Sequence, residues 1–166
     1  MIHAKALEIE TKELTIRTCS SKFGPNELME KIKTMQGKSS VLQIFAYESV
    51  INDTHLIGAY VNALIAFQNG TNMARSVPME MLLFAGMTKQ ISEAIENVGV
   101  KSSRIFVLFS NNAACYKKLK GMLETDVPFK VSAAHKASCA AKFGIGTGPE
   151  MDKAILQKMT ATRLED

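Results

Sequence analysis

Residues 54–74 form the longest stretch of the chain without a charged side chain, and this stretch restricts the fold more than any other feature. Its middle part, LIGAYVNALIAF, would place apolar residues on almost every side of a helix, so such a helix has to be covered by other elements. Twelve residues are too few to cross about 30 Å of hydrocarbon, so the stretch predicts a buried helix and no membrane span. Asp53 or Thr54 is the expected N-cap, and Asn69 with Gly70 is expected to end the helix.

The segments that follow predict two more helices. Residues 78–85 are apolar except for Glu80, which predicts a second largely buried helix. The next apolar residues recur at i, i+3, i+4 and i+7, the spacing of an amphipathic helix with one side in the core: Ile91, Ala94, Ile95 and Val98. Gly99 stands where a left-handed residue is expected to end that helix.

Two short segments rich in β-branched and aromatic residues, 41–47 and 104–110, predict buried strands. Two further strands or a hairpin are predicted within residues 7–17, and another strand over 127–131. Helical spacing also predicts helices at 28–36, 113–123, 133–143 and from Pro149 onward. At about 150 residues per domain, these elements predict a single α/β domain over residues 1–166, a mixed β-sheet with packed helices.

Few residues are candidates for chemistry. His135 and Cys139 are spaced i, i+4 on one predicted helix, but two ligands do not make a metal site, so we predict no metal. A small enzyme using this pair would require both side chains to be exposed in a cleft. Gly144, Gly146 and Gly148 lack the G-x-G-x-x-G order of a nucleotide site and favour a flexible connector. We therefore predict no catalytic residue, no cofactor and no small-molecule substrate.

The positive charge is concentrated in the second half of the chain. Residues 1–74 contain seven Lys and Arg against seven acids, so the net charge of +4 comes from residues 75–166. Residues 101–142 alone contain eight Lys and Arg against two acids. A solvated lysine face and a surface for a polyanion both fit this distribution. An independent RNA-binding module using the lysines within 117–142 is therefore an alternative function, with Tyr116, Phe129 and Phe143 as its available stacking residues.

The N-terminal residues, MIHAKALEIETKEL, have no long apolar run after a basic start. They predict neither a signal peptide nor a transit sequence, and we expect the protein to stay in the cytoplasm. Cys19, Cys115 and Cys139 form no CxxC pair and are expected to be reduced and mostly buried.

Residues 73–100 read MARSVPMEMLLFAGMTKQISEAIENVGV. The segment has an Arg-Ser pair before a short helix, a Glu followed by aliphatic residues, a turn of small residues, and the pattern Q-I-x-E-A-I-x-x-x-G. The residues concerned are Arg75, Ser76, Glu80, Met81, Leu82, Leu83, Gln90, Ile91, Glu93, Ala94, Ile95 and Gly99. This pattern resembles the kinase-binding subunit of the KEOPS complex, the family that includes the eukaryotic PRPK-binding protein. Pro78 and the tail residues 161–163 depart from the pattern.

The resemblance implies a non-catalytic subunit that docks on the kinase-like ATPase of a complex making threonylcarbamoyladenosine in tRNA beside the anticodon. It also implies that the subunit helps to hold the tRNA by its 3′ end. Ten methionines, several of them near the two apolar helices, fit a surface that adapts to a partner. The expected contacts with the kinase-like subunit are Met79, Glu80, Leu82 and Leu83. The expected RNA contacts are Arg75, which falls on the motif, and Lys89, Lys101 and Arg104, which are chosen for their charge.

Overall fold

The computed structural model of the protein describes residues 14–36, 40–102 and 104–164. In chain order its elements are β1 (Thr15–Ser21), α1 (Pro25–Met35), β2 (Leu42–Ala46), a 3₁₀ turn (Tyr47–Ser49), α2 (Asp53–Asn69), α3 (Val77–Gly86), α4 (Ile91–Val98), β3 (Ile105–Ser110), α5 (Ala113–Lys120), β4 (Leu123–Pro128), α6 (Ala133–Lys142) and α7 (Met151–Leu164).

These elements group into two compact units. The sheet unit contains the described residues up to Tyr47 together with Val100–Phe129. The helical unit contains Glu48–Gly99 and the described residues from Lys130 onward. The single domain predicted over residues 1–166 stays a prediction.

The sheet unit contains a four-stranded sheet in the order β2-β3-β1-β4. β1 is antiparallel to both β3 and β4, and β2 is antiparallel to β3. Helix α1 therefore connects two strands, β1 and β2, that run the same way with β3 between them, and α5 connects β3 and β4 across β1. Two interleaved β-α-β units of this kind make the split β-α-β, ferredoxin-like arrangement.

The predicted α/β class with helices packed on one sheet is confirmed. The described strand pairs are all antiparallel, whereas a mixed sheet was predicted. The two parallel strands of each β-α-β unit do not pair with each other, because a strand of the other unit lies between them and runs in the opposite direction. The buried strands predicted at 41–47 and 104–110 are confirmed as β2 and β3. Of the strands predicted within residues 7–17, the second corresponds to β1, and residues 7–13 lie outside the described residues.

Strand β4 begins at Leu123, four residues before the strand predicted at 127–131, and ends at Pro128. It is an edge strand with exposed and half-buried residues, so it lacks the apolar signal on which that prediction rested. Proline is tolerated at such an edge because its missing N–H removes no bond from the centre of the sheet.

The helical unit is built around α2, whose residues Leu56, Ala59, Tyr60 and Ala63 are fully buried. The side chain of Asn52, and not Asp53 or Thr54, caps the helix by accepting the backbone N–H of His55. Gly70 ends it as predicted, and its φ of +67° is in the left-handed region. None of the helices that the structure describes is both long and apolar enough to span a bilayer.

Helices α3 and α4 pack closely because Gly86 has no side chain: a Cβ atom at this position would lie 2.8 Å from the Cα of Ala94. The predicted core stripe of α4 is only half correct. Ala94 and Val98 are fully buried, but Ile91 and Ile95 are 41% and 49% exposed. Gly99 does not take the predicted left-handed conformation, since its φ is −72°.

The predicted helices at 133–143 and after Pro149 are confirmed as α6 and α7. Ile155 and Met159 of α7 are fully buried. Leu164, the last residue of the helix, is 83% exposed.

Candidate functional site

Helix α3 carries the residues that were expected to contact the kinase-like subunit. Glu80 is fully buried, Leu82 is 5% exposed and Leu83 is 1% exposed, whereas Met79 is half-buried. Little of the surface of α3 is therefore accessible to a partner that docks on the folded helical unit. Contact through these four residues stays a prediction, and their burial favours a role in holding the unit together.

Glu80, the one charged residue of α3, has three partners. Its Oε2 atom accepts backbone hydrogen bonds from Met73 at 3.0 Å and Ala74 at 2.7 Å. Its Oε1 atom lies 2.7 Å from a terminal nitrogen of Arg163, on the last turn of α7. Neither of these two atoms has another hydrogen bond among the described residues, so the ion pair alone offsets their burial. The Arg163 guanidinium also lies 4.2 Å from the ring centroid of Phe84, a cation–π distance.

Two of the exposed apolar side chains of the helical unit lie next to each other on α4. Ile91 and Ile95 are one turn apart and form the exposed edge of the apolar stripe whose other members, Ala94 and Val98, are buried. We call this pair the α4 surface. Periodicity alone assigned these residues to the core, so their exposure was not predicted from the sequence. The sequence did contain a signal for this exposure. The apolar stripe is wide for an eight-residue helix, and all of it is buried only where neighbouring elements cover its whole width.

The four predicted RNA contacts fall in both units. Arg75 is exposed in loop 71–76, between α2 and α3, and Lys89 is half-buried between α3 and α4. Lys101 and Arg104 are exposed residues of the sheet unit. Arg104 lines a pocket of about 180 Å³ at the ends of β1 and β3, together with Lys22 and Phe23. The structure thus adds Lys22 to the basic candidates, and only the fold could bring it next to Arg104.

The lysine cluster of the alternative function has few free aromatic side chains. Lys117, Lys118 and Lys120 are exposed on α5. Of the predicted stacking residues, Phe129 and Phe143 are 7% and 8% exposed. The third, Tyr116, donates its hydroxyl hydrogen bond to the carboxylate of Asp126. A cationic face whose only ring outside the core is the half-buried Tyr116, among the three predicted stacking residues, offers phosphate contacts but little base stacking.

His135 and Cys139 lie side by side, with Cys139 Sγ 3.3 Å from His135 Nε2, but the thiol is not exposed in a cleft. Cys139 is 2% exposed, and burial raises the pKa of its thiol. The thiol donates to the carbonyl oxygen of Glu48 at 3.1 Å, while His135 Nε2 lies 2.8 Å from the carbonyl oxygen of Val50. Because the thiolate is the nucleophilic form, this arrangement ties α6 to residues 48–50 and does not activate sulfur.

The glycine-rich segment 144–148 follows helix α6, not a strand, so it lacks the context of a dinucleotide-binding turn. Gly144 and Gly148 have φ values of +67° and +141°, which explains why glycine occurs at these two positions. Among residues 14–36, 40–102 and 104–164, no three His, Cys, Asp or Glu side chains are grouped to hold a metal ion.

These features describe a protein with an exposed apolar helix face, exposed basic residues in each unit, and a buried Cys139 thiol beside the half-buried His135. The family model described as kinase binding protein CGI-121 matches residues 24–161. The match covers most of the chain, so the chain belongs to this family of kinase-binding proteins, and the resemblance found in the sequence is confirmed. No curated protein matches the chain.

Proposed function

We propose that this chain is a non-catalytic subunit of the KEOPS complex. In this role it binds and activates the kinase-like ATPase subunit in the cytoplasm and helps to recruit tRNA by its 3′ end, for threonylcarbamoyladenosine modification next to the anticodon. The observation that carries the proposal is membership of a kinase-binding family, together with two exposed isoleucines on α4 that offer an apolar contact.

The α4 surface is the best candidate for the kinase contact. The exposed Ser92 and Glu96 border Ile91 and Ile95 on the side of the helix away from Ala94 and Val98, so polar residues adjoin the apolar pair there. A partner can cover Ile91 and Ile95 and remove them from water without disturbing the packing of the buried Ala94 and Val98. This assignment moves the proposed contact from α3 to the neighbouring helix.

Arg75 supports the RNA part of the proposal. It is exposed, whereas Arg17 and Arg163 are engaged in ion pairs at 2.6 Å and 2.7 Å. An exposed guanidinium can pair with a phosphate and stack on an unpaired base, such as those at the 3′ end of a tRNA. The independent RNA-binding module is the weaker candidate, because the rings near its lysine cluster are buried or hydrogen-bonded.

Two measurements test the proposal. The first is copurification of the chain with the kinase-like subunit and the ATPase rate of that subunit with and without the chain; we expect a stable complex and a faster rate. The second is the affinity for tRNA with and without its 3′-terminal nucleotides, over a range of salt concentrations.

Removal of the 3′ nucleotides and Arg75→Ala are each expected to weaken tRNA binding about tenfold, the loss of one charge-assisted contact. Lys118→Ala on exposed α5 is the matched control and is expected to change the affinity little. Tight tRNA binding that ignores the 3′ end and depends on Lys118 would favour the independent module. Absence of a complex with the kinase-like subunit would contradict the main proposal.

A further inference from the structure

Loop 71–76 has its shape fixed by a buried carboxylate. Glu80 reaches back from α3 and accepts the N–H groups of Met73 and Ala74 with one oxygen. The side chain of Asn72 donates to the carbonyl oxygen of Ala74 at 3.0 Å, which closes the turn from the other side. Backbone groups that a loop would otherwise offer to water are therefore bonded within the protein.

Glu80 depends on Arg163 for its stability in the core. A carboxylate with no exposed surface is costly unless a charge and hydrogen-bond donors compensate it. Arg163 supplies the charge at 2.7 Å, and its stacking on Phe84 keeps the guanidinium in place. The last turn of α7 is thus joined through Glu80 to loop 71–76.

The anchored loop exposes one apolar and one cationic side chain. Ala74 is 4% exposed, while Met73 on one side of it is 54% exposed and Arg75 on the other side is exposed. The thioether of a methionine packs well on aromatic faces, and an arginine guanidinium pairs with phosphates. Both groups suit an unpaired nucleotide, whose base and phosphate lie next to each other.

We propose that Glu80 and Arg163 are positioning residues that hold loop 71–76 in an RNA-binding shape, so that Met73 and Arg75 contact the same single-stranded segment of tRNA. This inference rests on the proposed function. A loop that is ordered before binding loses less conformational entropy when RNA binds, so its affinity depends on the anchor even though Glu80 does not touch the RNA.

A double-mutant cycle tests this role. We expect Glu80→Gln to weaken tRNA binding about tenfold in the otherwise wild-type chain, because the amide cannot satisfy the two loop N–H groups and Arg163 together. In a Met73→Ala/Arg75→Ala background, the same substitution is expected to change the affinity less than about twofold, since the positioned side chains are gone. An equal loss in both backgrounds would mean general destabilisation and would overturn the inference.

Asp126→Asn is the matched control, because it removes a half-buried carboxylate from an ion pair of the sheet unit. It is expected to lower the stability while leaving tRNA affinity unchanged. If Glu80→Gln does not fold, Arg163→Lys takes its place, since lysine keeps the charge but loses the planar stacking on Phe84.

Hydrogen exchange gives a second measurement that does not need RNA. The amide protons of Met73 and Ala74 are expected to exchange faster in either variant, while those in the middle of α2 keep their wild-type rates. Unchanged exchange at Met73 and Ala74 would overturn the inference. A wild-type chain that does not bind tRNA would instead refute the RNA part of the proposed function, so the two failures are distinguishable.

Discussion

The Nε2 atom of His55 lies 2.8 Å from the carbonyl oxygen of Ala85, and this contact fixes the protonation of a fully buried ring. A carbonyl oxygen only accepts, so Nε2 carries the proton. Nδ1 accepts the backbone N–H of Ile51 at 3.1 Å and has no place for a second proton. Burial lowers the pKa of His55 to about 4, although the hydrogen bond to Ala85 acts in the opposite direction. The neutral ring thus joins the start of α2 to the end of α3.

We expect the stability of the protein to fall in acid because of this ring. Between the unfolded pKa of about 6.5 and the folded pKa of about 4, the unfolded chain binds a proton that the folded chain does not bind. The free energy of unfolding should therefore decrease by about 1.4 kcal/mol per pH unit as the pH falls through this window. Denaturant unfolding at several pH values between 7 and 4 measures the slope.

His55→Gln is the control for the pH series, because an amide can donate to Ala85 and accept from Ile51 without titrating. Carboxylates contribute equally to both proteins and cancel in the difference. The wild type should lose stability more steeply than His55→Gln below about pH 6.5. Parallel curves would show that His55 is not responsible.

The carboxylate of Asp126 in the sheet unit accepts hydrogen bonds from Arg17 and Tyr116 and a longer one from the Cys19 thiol at 3.9 Å. Arg17 Nε lies 2.6 Å from Oδ1, and the hydroxyl of Tyr116 donates to Oδ2. Burial is the largest influence and by itself raises the pKa of Asp126, but the hydrogen bonds from Tyr116 and Arg17 outweigh it, so the pKa is lowered. The pKa of Tyr116 is raised to about 12, first by burial and then by this hydrogen bond.

Tyr116→Phe is expected to lower the free energy of unfolding by about 1.5 kcal/mol, because it removes a hydrogen bond to a charged group. It should also raise the pKa of Asp126. A carboxyl with a lowered pKa stabilises the fold above its unfolded pKa and loses this contribution as the pH falls through the folded pKa, so the acid-dependent part of the stability shrinks in the variant. Carboxyl NMR titration and chemical unfolding measure both effects.

Ser20→Ala serves as the matched control for Tyr116→Phe. It removes an exposed hydroxyl contact between Ser20 and Thr125 at 2.7 Å, on the same pair of strands, and should cost less than about 0.5 kcal/mol. A cost as large as that of Tyr116→Phe would indicate that strand pairing, and not the Asp126 contacts, governs this region.

Two glycines give opposite expectations for the same substitution. A Cβ atom at Gly86 would meet the backbone of Ala94 at 2.8 Å, so Gly86→Ala should force α3 and α4 apart and cost about 1 to 3 kcal/mol. Gly121 has φ −65°, and a Cβ atom there would meet no atom within 4 Å, so Gly121→Ala should be neutral or stabilise by up to about 1 kcal/mol. Thermal unfolding of both variants measures the difference, and equal effects would contradict the proposed close approach at Gly86.

The sequence predicted which residues form most helices and the central strands, because apolar spacing and caps are local properties. It did not predict what covers them. Ile91 and Ile95 share a periodic stripe with Ala94 and Val98, yet periodicity places residues on one face of a helix without saying how far a neighbouring helix extends over it. The prediction placed the β4 strand four residues too late for a similar reason. β4 is a strand because it pairs with β1, and the pattern of polar and apolar residues within β4 does not reveal that pairing.

Glu80 shows the same limit at the candidate site. The sequence predicted Glu80 as a contact with the kinase-like subunit, and nothing local identified its ion-pair partner Arg163, 83 positions later in the chain. Arg75 was predictable from its motif and is exposed. Lys22 was not, because only the fold places it in a pocket with Arg104.

Ile91→Asp and Ile95→Asp test the α4 surface as the kinase contact. Each isoleucine is about half-exposed, so a carboxylate can remain hydrated in the free protein but must lose water at an apolar interface. We expect each substitution to weaken binding to the kinase-like subunit about thirtyfold, equivalent to about 2 kcal/mol, with little change in the unfolding midpoint. Val127→Asp introduces the same charge at a residue of the sheet unit that is 52% exposed, and it should leave the complex intact. Wild-type affinity in both α4 variants, measured by titration calorimetry, would remove α4 from the interface and return attention to α3.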